Sequence, residues 1–245
     1  MVESAVHAVV PAAGRGTRLA PLTDDRPKPL VEIAGRPLLA RVFDALSSVD
    51  LASYVVVIGY RGEQIRDRFG DAYDGTPIEC VTQSDPIGLA DAVRRAGRVV
   101  SGDPFVVCNG DNVLNDDLSR LVTPSLLDPS APTESSVLVE RTTRRRAGET
   151  GVVVTTDSGR IERMVEKPDE PPSTLVSAGA YAFSPSIVEA CEAIDPAPTG
   201  EYELADAISY LVERDRSVEA VPLRRQRVNV NDVEDLDQAE ERVDQ

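Results

Sequence analysis

The feature that most constrains the fold is an apolar run, Val6 to Ala13, that breaks off at Gly14-Arg15-Gly16-Thr17-Arg18. A continuous apolar run of this length reads as a buried strand, and the glycines mark the loop into which it empties. Gly14 and Gly16 lack a Cβ and can take positive φ, so successive N–H groups can turn toward an anion at close range. Arg15 and Arg18 place charge beside them. The spacing fits neither of two familiar phosphate loops. A dinucleotide fingerprint needs a third glycine where Leu19 stands, and a P-loop needs Gly-Lys-Ser/Thr after four spacer residues.

Downstream the chain alternates strand and helix. Strands are expected at Ser53 to Gly59, Ile78 to Thr82 and Pro104 to Cys108. Helices are expected from Pro37, with Leu38, Leu39, Val42, Phe43 and Leu46 on one face, over Glu63 to Phe69, and from Leu89 to about Val99. This rhythm predicts an α/β fold with a parallel sheet, whose ligands bind at the carboxyl edge of the strands. Two motifs fall at that edge. The Gln83 amide offers one acceptor and two donors, suited to the imide edge of uracil or thymine, and Gly88 lets a ring approach the backbone. Asp111 is placed to hold a hard cation through oxygen, and Gly110 leaves space for phosphate or ribose.

The second half is expected to hold a long surface loop from Thr123 to Ser136, marked by Pro124, Pro129 and Pro132, and a strand from Ser136 to Arg141. Arg144-Arg145-Arg146 reads as a solvated run in a loop. A hairpin turns at Asp157-Ser158-Gly159 and ends at Glu166-Lys167-Pro168. Helices follow near Pro185 to Ile194 and over Glu203 to Glu213, then a strand at Val218 to Leu223. An acidic helix from Val233, capped by Asp232, comes last.

Charge narrows the function classes. Forty-two acidic residues face 26 basic ones, a formal net charge of −16, which repels nucleic acid and anionic lipid. Only Lys28 and Lys167 are lysines; every other basic residue is arginine. An acidic chain nearly stripped of lysine resembles proteins of a high-salt cytoplasm and is expected to require salt. The two lysines it keeps lie in Pro-Lys-Pro and Glu-Lys-Pro, where an ammonium could meet phosphate. No apolar window of about 18 residues exists and the start is not basic-then-apolar, so a cytoplasmic protein is expected, with no membrane partner. Cys80, Cys108 and Cys191 lack metal-ligand spacing and read as core thiols, and His7 reads as structural.

Taken together, Gly14-x-Gly16-Thr17-Arg18-Leu19-x-Pro21-Leu22-Thr23 and Pro27-Lys28-Pro29-Leu30 resemble the signature of the sugar-1-phosphate nucleotidylyltransferases. The resemblance covers nearly the whole chain. It implies one Rossmann-like, GT-A-like α/β domain over 1–245, with a mixed, mainly parallel sheet flanked by helices. Residues from about 1 to 139 would take the nucleotide and those from about 140 to 230 the sugar, with a C-terminal helix over 231–245. The implied reaction joins an NTP and a sugar 1-phosphate to give an NDP-sugar and pyrophosphate with Mg²⁺. UTP or dTTP and glucose 1-phosphate are favoured. The resemblance further implies small-molecule partners only and a monomer or small homo-oligomer.

Site residues carry over by position. The resemblance gives Ala12, Ala13, Gly14, Arg15, Gly16, Thr17, Gln83, Gly88 and Gly110 to the nucleotide, and Gly151, Glu166, Val176 and Gly179 to the sugar. Arg18, Lys28, Asp111 and Lys167 would be catalytic, with Mg²⁺ on Asp111 and Asn229. Family members usually have an aspartate where Asn229 stands, so the second metal ligand departs from the pattern. Adjacent strand residues face opposite ways, so Glu166 and Lys167 can serve one ligand only if the strand ends or twists there. A guanylyl- or cytidylyltransferase of the same fold remains open, as does a non-catalytic sugar-nucleotide-binding regulator.

Overall fold

The N-terminal apolar run forms β1 (His7–Ala12), an inner strand of a ten-stranded mixed sheet in the computed structural model, which describes residues 5–128 and 133–243. A small hairpin, β2 (Glu32–Ile33) and β3 (Arg36–Pro37), leads to α1 (Leu38–Leu46). Then come β4 (Ser53–Ile58), α2 (Gly62–Phe69), β5 (Ala72–Tyr73), β6 (Thr76–Thr82), α3 (Leu89–Val99), β7 (Phe105–Cys108) and β8 (Asn112–Leu114). The second half runs β9 (Thr133–Arg141), α4 (Arg144–Ala147), β10 (Gly151–Thr155), β11 (Ile161–Glu166) and β12 (Leu175–Phe183). It closes with α5 (Ser186–Ala193), α6 (Leu204–Val212), β13 (Ser217–Pro222), β14 (Arg227–Asn229) and α7 (Val233–Val243).

The strand order is β11-β10-β12-β7-β1-β4-β6-β5, and β9 joins β12 to β13 beside this path. Strands β7, β1, β4 and β6 are parallel, with Val9 opposite both Val55 and Val107. Antiparallel β12 docks on β7, with Tyr181 opposite Val107, and carries the second half of the sheet. Both faces of the parallel strands are covered. Val9, Val55 and Val107 pack with Ala90, Val93 and Ile187 of α3 and α5, while Val10, Val56 and Val106 pack with Leu39, Phe43 and Leu46 of α1. A strand buried on both faces needs apolar residues at every position, which is why these runs show no alternation. All four parallel strands end at one edge, where the loops of interest gather.

The expected α/β fold with its mixed sheet is present, with local differences. Arg144-Arg145-Arg146 lies in a helical turn, α4, rather than a loop. Thr143 Oγ1 accepts from the Arg146 amide at 3.3 Å, and Ala147 is fully buried beneath the turn. Strands β8 and β14 are too short to show periodicity; they pair antiparallel, Asn229 opposite Asn112. Strand β9 starts at Thr133, three residues early, because β13 extends the pairing there. Pro129 and Pro132 of the expected loop lie outside the described residues.

Asp232 caps α7 as expected. Its Oδ1 accepts from the Asp235 amide at 3.1 Å, while Asp235 Oδ2 accepts from the Asp232 amide at 3.3 Å. His7 is structural, its Nδ1 2.8 Å from Ser53 Oγ. The three cysteines are free, and burial pushes the Cys108 and Cys191 thiols up to about 12. Among the described residues no helix is long and apolar enough to cross a membrane.

Candidate active site

The loop after β1 folds back on itself around Gly16. Thr23, nearly fully buried, donates from Oγ1 to the Gly16 carbonyl at 2.9 Å and closes the loop. Only one of the two glycines takes positive φ. Gly16 stands at φ +71°, and a Cβ there would lie 2.8 Å from Lys28 Cβ, so the Lys28 stem crosses directly over Gly16. Gly14 is not left-handed. A Cβ on it would meet nothing within 4 Å, so open space faces this part of the loop. Ala12 and Ala13 are buried, and the Ala13 carbonyl accepts from the Tyr60 amide at 3.4 Å. Thr17 starts a single helical turn ending at Leu19, and Arg18 Nη2 donates to Asn231 Oδ1 at 3.1 Å. Arg15 is exposed, with its guanidinium over the Tyr60 ring.

Across the edge, Lys28 Nζ lies 3.0 Å from Asp111 Oδ2. Asp111 follows β7 through Asn109 and Gly110, and its carbonyl accepts from the Val230 amide at 2.8 Å, tying it to the β14 end. Gly110 is a glycine for a different reason than expected. A Cβ would lie 2.5 Å from the Pro11 carbonyl oxygen, which also accepts from the Gly110 amide at 3.1 Å. The missing side chain makes room for β1.

Gln83 and Gly88 also make contacts within the chain that the sequence did not show. Gln83 is buried, and both of its donors are committed: Nε2 gives to the Gly88 carbonyl at 3.2 Å and to Asp91 Oδ2 at 2.9 Å. Only Oε1 is left for a base edge. Burial opposes ionisation of Asp91, but hydrogen bonds from Arg94, Arg95 and Gln83 outweigh it and hold the carboxyl below its ordinary value. Gly88, at φ +112°, would put a Cβ 2.4 Å from the Tyr202 carbonyl oxygen, so the Tyr202 main chain packs closely on its backbone. That contact fixes the start of α3 against the segment leading into α6, through the Ala90 amide on the Tyr202 carbonyl at 3.0 Å.

Beyond Asp111 a cavity of about 220 Å³ opens, lined by Gly151, Glu166, Lys167 and Gly179 among others. Lys167 resolves the adjacency problem. Strand β11 ends at Glu166, and Lys167 turns to φ +39° with its amide on the Thr150 carbonyl at 3.1 Å. Both side chains then line one cavity, with Nζ 3.3 Å from Glu166 Oε1. Gly151 leaves little room: a Cβ would lie 3.1 Å from Glu166 Oε2. Gly179, at φ +71°, would clash with Asn112 Nδ2 at 2.2 Å. Val176 does not line the cavity; its side chain packs with Ala147 and Val152 on the other side of β12.

Several cavity residues were not singled out in the sequence. Glu201 and Glu203 precede α6, where they read as an ordinary helix start, and the two-residue spacing of acids was the only available signal. Burial and the neighbouring Glu166 carboxylate raise the Glu203 carboxyl above its ordinary value. Arg227, in the unforeseen β14, crosses the cavity floor: Nε donates to Glu140 at 2.6 Å and Nη1 to Asn112 Oδ1 at 3.2 Å. Asn112 in turn donates to the Ala178 and Gly179 carbonyls at 3.0 and 3.1 Å, which links Arg227 to β12.

The metal end has a donor set suited to a hard cation. Asn229 Oδ1 is buried without a hydrogen-bond partner, and Asp111 supplies a carboxylate joined to the same segment. An unpaired buried acceptor is costly, and an amide oxygen and a carboxylate are both donors of the kind oxygen-preferring Mg²⁺ takes. Among the described residues no group of three or more His, Cys, Asp and Glu forms a denser metal cage.

Known proteins resemble this chain in sequence and in fold. The family model described as Nucleotidyl transferase matches residues 7–241. The UTP–glucose-1-phosphate uridylyltransferase AglF of Haloferax volcanii is 40% identical over 238 residues, 97% of this chain and 96% of that one. The low-salt glycan biosynthesis nucleotidyltransferase Agl11 of the same organism is 34% identical over 84% of this chain, which spans 57% of Agl11. Among solved structures, the UTP-bound UGPase of Acinetobacter baumannii shares the fold with a TM-score of 0.83 at 23% identity, covering 98% of this chain and 93% of that one.

Proposed function

This chain belongs to the nucleotidyl transferase family, as a sugar-1-phosphate nucleotidylyltransferase, and on that premise we propose that it joins UTP to glucose 1-phosphate, giving UDP-glucose and pyrophosphate. One observation carries the reading most directly. Lys28 packs its stem on Gly16 and reaches Asp111 at 3.0 Å, and Asn109 and Asn112 on either side of Asp111 line the cavity of Glu166 and Lys167, which supports a phosphate site and a sugar pocket that share this carboxylate. Choice of UTP and glucose follows the 40% identity to AglF.

The chemistry asks for two anions held together. A phosphate oxygen of glucose 1-phosphate attacks the α-phosphorus of UTP; the new P–O bond forms as the bond to the β-phosphate breaks opposite it, and pyrophosphate leaves. The nucleophile is already an anion near neutral pH, so no general base is required. Positioning and charge neutralisation supply the rate. The Gly14–Thr17 main chain with Arg15 and Arg18 would hold the β- and γ-phosphates. Lys28, releasing Asp111, would meet the reacting phosphates. Lys167 would take the sugar phosphate, and Glu166 would accept from sugar hydroxyls beside Gly151 and Gly179. Mg²⁺ held by Asp111 and the Asn229 oxygen would neutralise phosphate charge. Gln83 Oε1 and the turn at Gly88 would border the base. On this reading, residues from about 1 to 139 take the nucleotide and those from about 140 to 230 the sugar. The acidic, lysine-poor surface suits a salt-rich cytoplasm.

The test is pyrophosphate release in molar salt with Mg²⁺, each NTP against a panel of sugar 1-phosphates. Release requiring UTP and glucose 1-phosphate together is expected. Release with dTTP alone would move the base assignment, and silence across the panel from folded protein would favour a regulator that binds without turnover.

A further inference from the structure

Residues 59–64, where β4 runs into α2, belong to no motif of the sequence reading, yet they grip the phosphate loop from both limbs. On the near limb, Gly59 packs so closely on Ala13 that a Cβ would stand 2.6 Å from its carbonyl oxygen, and the Tyr60 amide donates to that oxygen at 3.4 Å. On the far limb, the Tyr60 hydroxyl donates to the Asp24 carbonyl at 2.9 Å and Gln64 Nε2 to the Asp25 carbonyl at 3.0 Å. The Tyr60 ring lies between. Arg15, inside the Gly-Arg-Gly turn, places its guanidinium carbon 4.8 Å from the ring centroid. Arg61 stands at φ +50° with its guanidinium 5.5 Å from the same centroid, and its Nε donates to the Tyr60 hydroxyl at 3.0 Å.

We propose that Tyr60 is a positioning residue for the nucleotide: its ring seats Arg15 at the mouth of the loop, so the guanidinium meets the terminal phosphates of UTP already ordered. The proposal rests on reading the Gly14–Arg18 loop as the triphosphate site. An exposed arginine otherwise ranges over many rotamers, and ordering it subtracts from binding; seating it on an aromatic face meets part of that cost before the ligand arrives. Tyr60 itself touches no substrate. Its hydroxyl holds the far limb, and its ring holds the cation, so the two functions separate by substitution.

UTP binding to the full chain, without sugar phosphate and in molar salt, is measured by calorimetry for wild type, Tyr60→Phe, Tyr60→Leu, Arg15→Ala and the Arg15→Ala/Tyr60→Leu double variant. Tyr60→Phe keeps the ring and is expected to bind UTP within about twofold of wild type. Tyr60→Leu is expected to weaken binding about fivefold, the scale of an exposed cation–ring contact. The double variant is expected to bind as Arg15→Ala alone does. In turnover the KM for UTP rises while the KM for sugar phosphate holds, a split that general loosening of the fold would not give. Tyr60→Met is read instead if Tyr60→Leu melts below the assay temperature. Wild-type protein that binds no UTP would bring down the phosphate-loop reading and Tyr60 with it. Wild type that binds while Tyr60→Leu is unchanged, or effects that multiply in the double variant, would overturn the Tyr60 assignment alone.

Discussion

Replacing Gly16 by alanine should damage catalysis far more than stability, because one methyl group strikes two features of different weight. Gly16 stands at φ +71°, and a non-glycine residue in the left-handed region costs roughly 1–2 kcal/mol. For a chain of this size that cost lowers Tm by about 2–8 °C. The new Cβ also lies 2.8 Å from Lys28 Cβ and 3.1 Å from its Cγ. Contacts this close to the Lys28 backbone are not relieved by rotating the ammonium end, so the stem must move and Nζ leaves its place 3.0 Å from Asp111. A displacement of about 1 Å in a positioning group costs on the order of 100-fold in rate. Gly159→Ala isolates the backbone term: φ is +87° there, and a Cβ meets nothing within 4 Å. Melting curves and steady-state kinetics on both variants are the assay. Similar Tm losses are expected, with kcat/KM reduced about 100-fold only for Gly16→Ala. If Gly16→Ala kept activity within about threefold, the placement of Lys28 across Gly16 would have no catalytic meaning.

Lys28→Ala should lower kcat by orders of magnitude with the fold intact in circular dichroism, since the ammonium is the charge proposed to meet the reacting phosphates; near-normal turnover would remove it from the mechanism. Asp232→Ala removes the α7 cap and should cost about 1 kcal/mol, read as a Tm loss of about 2–4 °C. Glu203 titrates in the opposite sense to a salt-bridged acid. Its folded-state value is raised, so the folded protein binds more protons than the unfolded chain in the window just above 4.5, and stability falls as pH rises through it. Glu203→Gln should therefore raise Tm at neutral pH, and the gain should vanish as pH falls to the ordinary carboxyl range.

Much of the fold was legible because strands buried on both faces cannot alternate. The runs Val6 to Ala13 and Ser53 to Gly59 identified themselves, and α3 spans Leu89 to Val99 as the apolar spacing requires. Glycines announced special backbone without revealing what came close. At Gly88 and Gly110 the neighbours are Tyr202 and Pro11, residues whose approach depends on the assembled sheet. The Glu166–Lys167 pair was visible as chemistry, while its geometry depended on a left-handed lysine fixed by the Thr150 carbonyl, a contact across the hairpin. Arg227 escaped because β14 has three residues, too few for a period, and because its partner Glu140 lies 87 positions away. Gln83 was visible as chemistry too, but not the commitment of its donors to Gly88 and Asp91, which depends on how the start of α3 packs.

The central claim is that the α-phosphate of UTP passes to the sugar phosphate while the outer two leave together. Radiolabelled UTP tests it directly: the protein is incubated in molar potassium chloride with Mg²⁺ and glucose 1-phosphate, using UTP labelled at the α- or the γ-phosphorus in parallel. α-Label is expected in UDP-glucose and γ-label in pyrophosphate. Label from the γ position on the sugar, or γ-label released as orthophosphate with no α-label transferred, would contradict it.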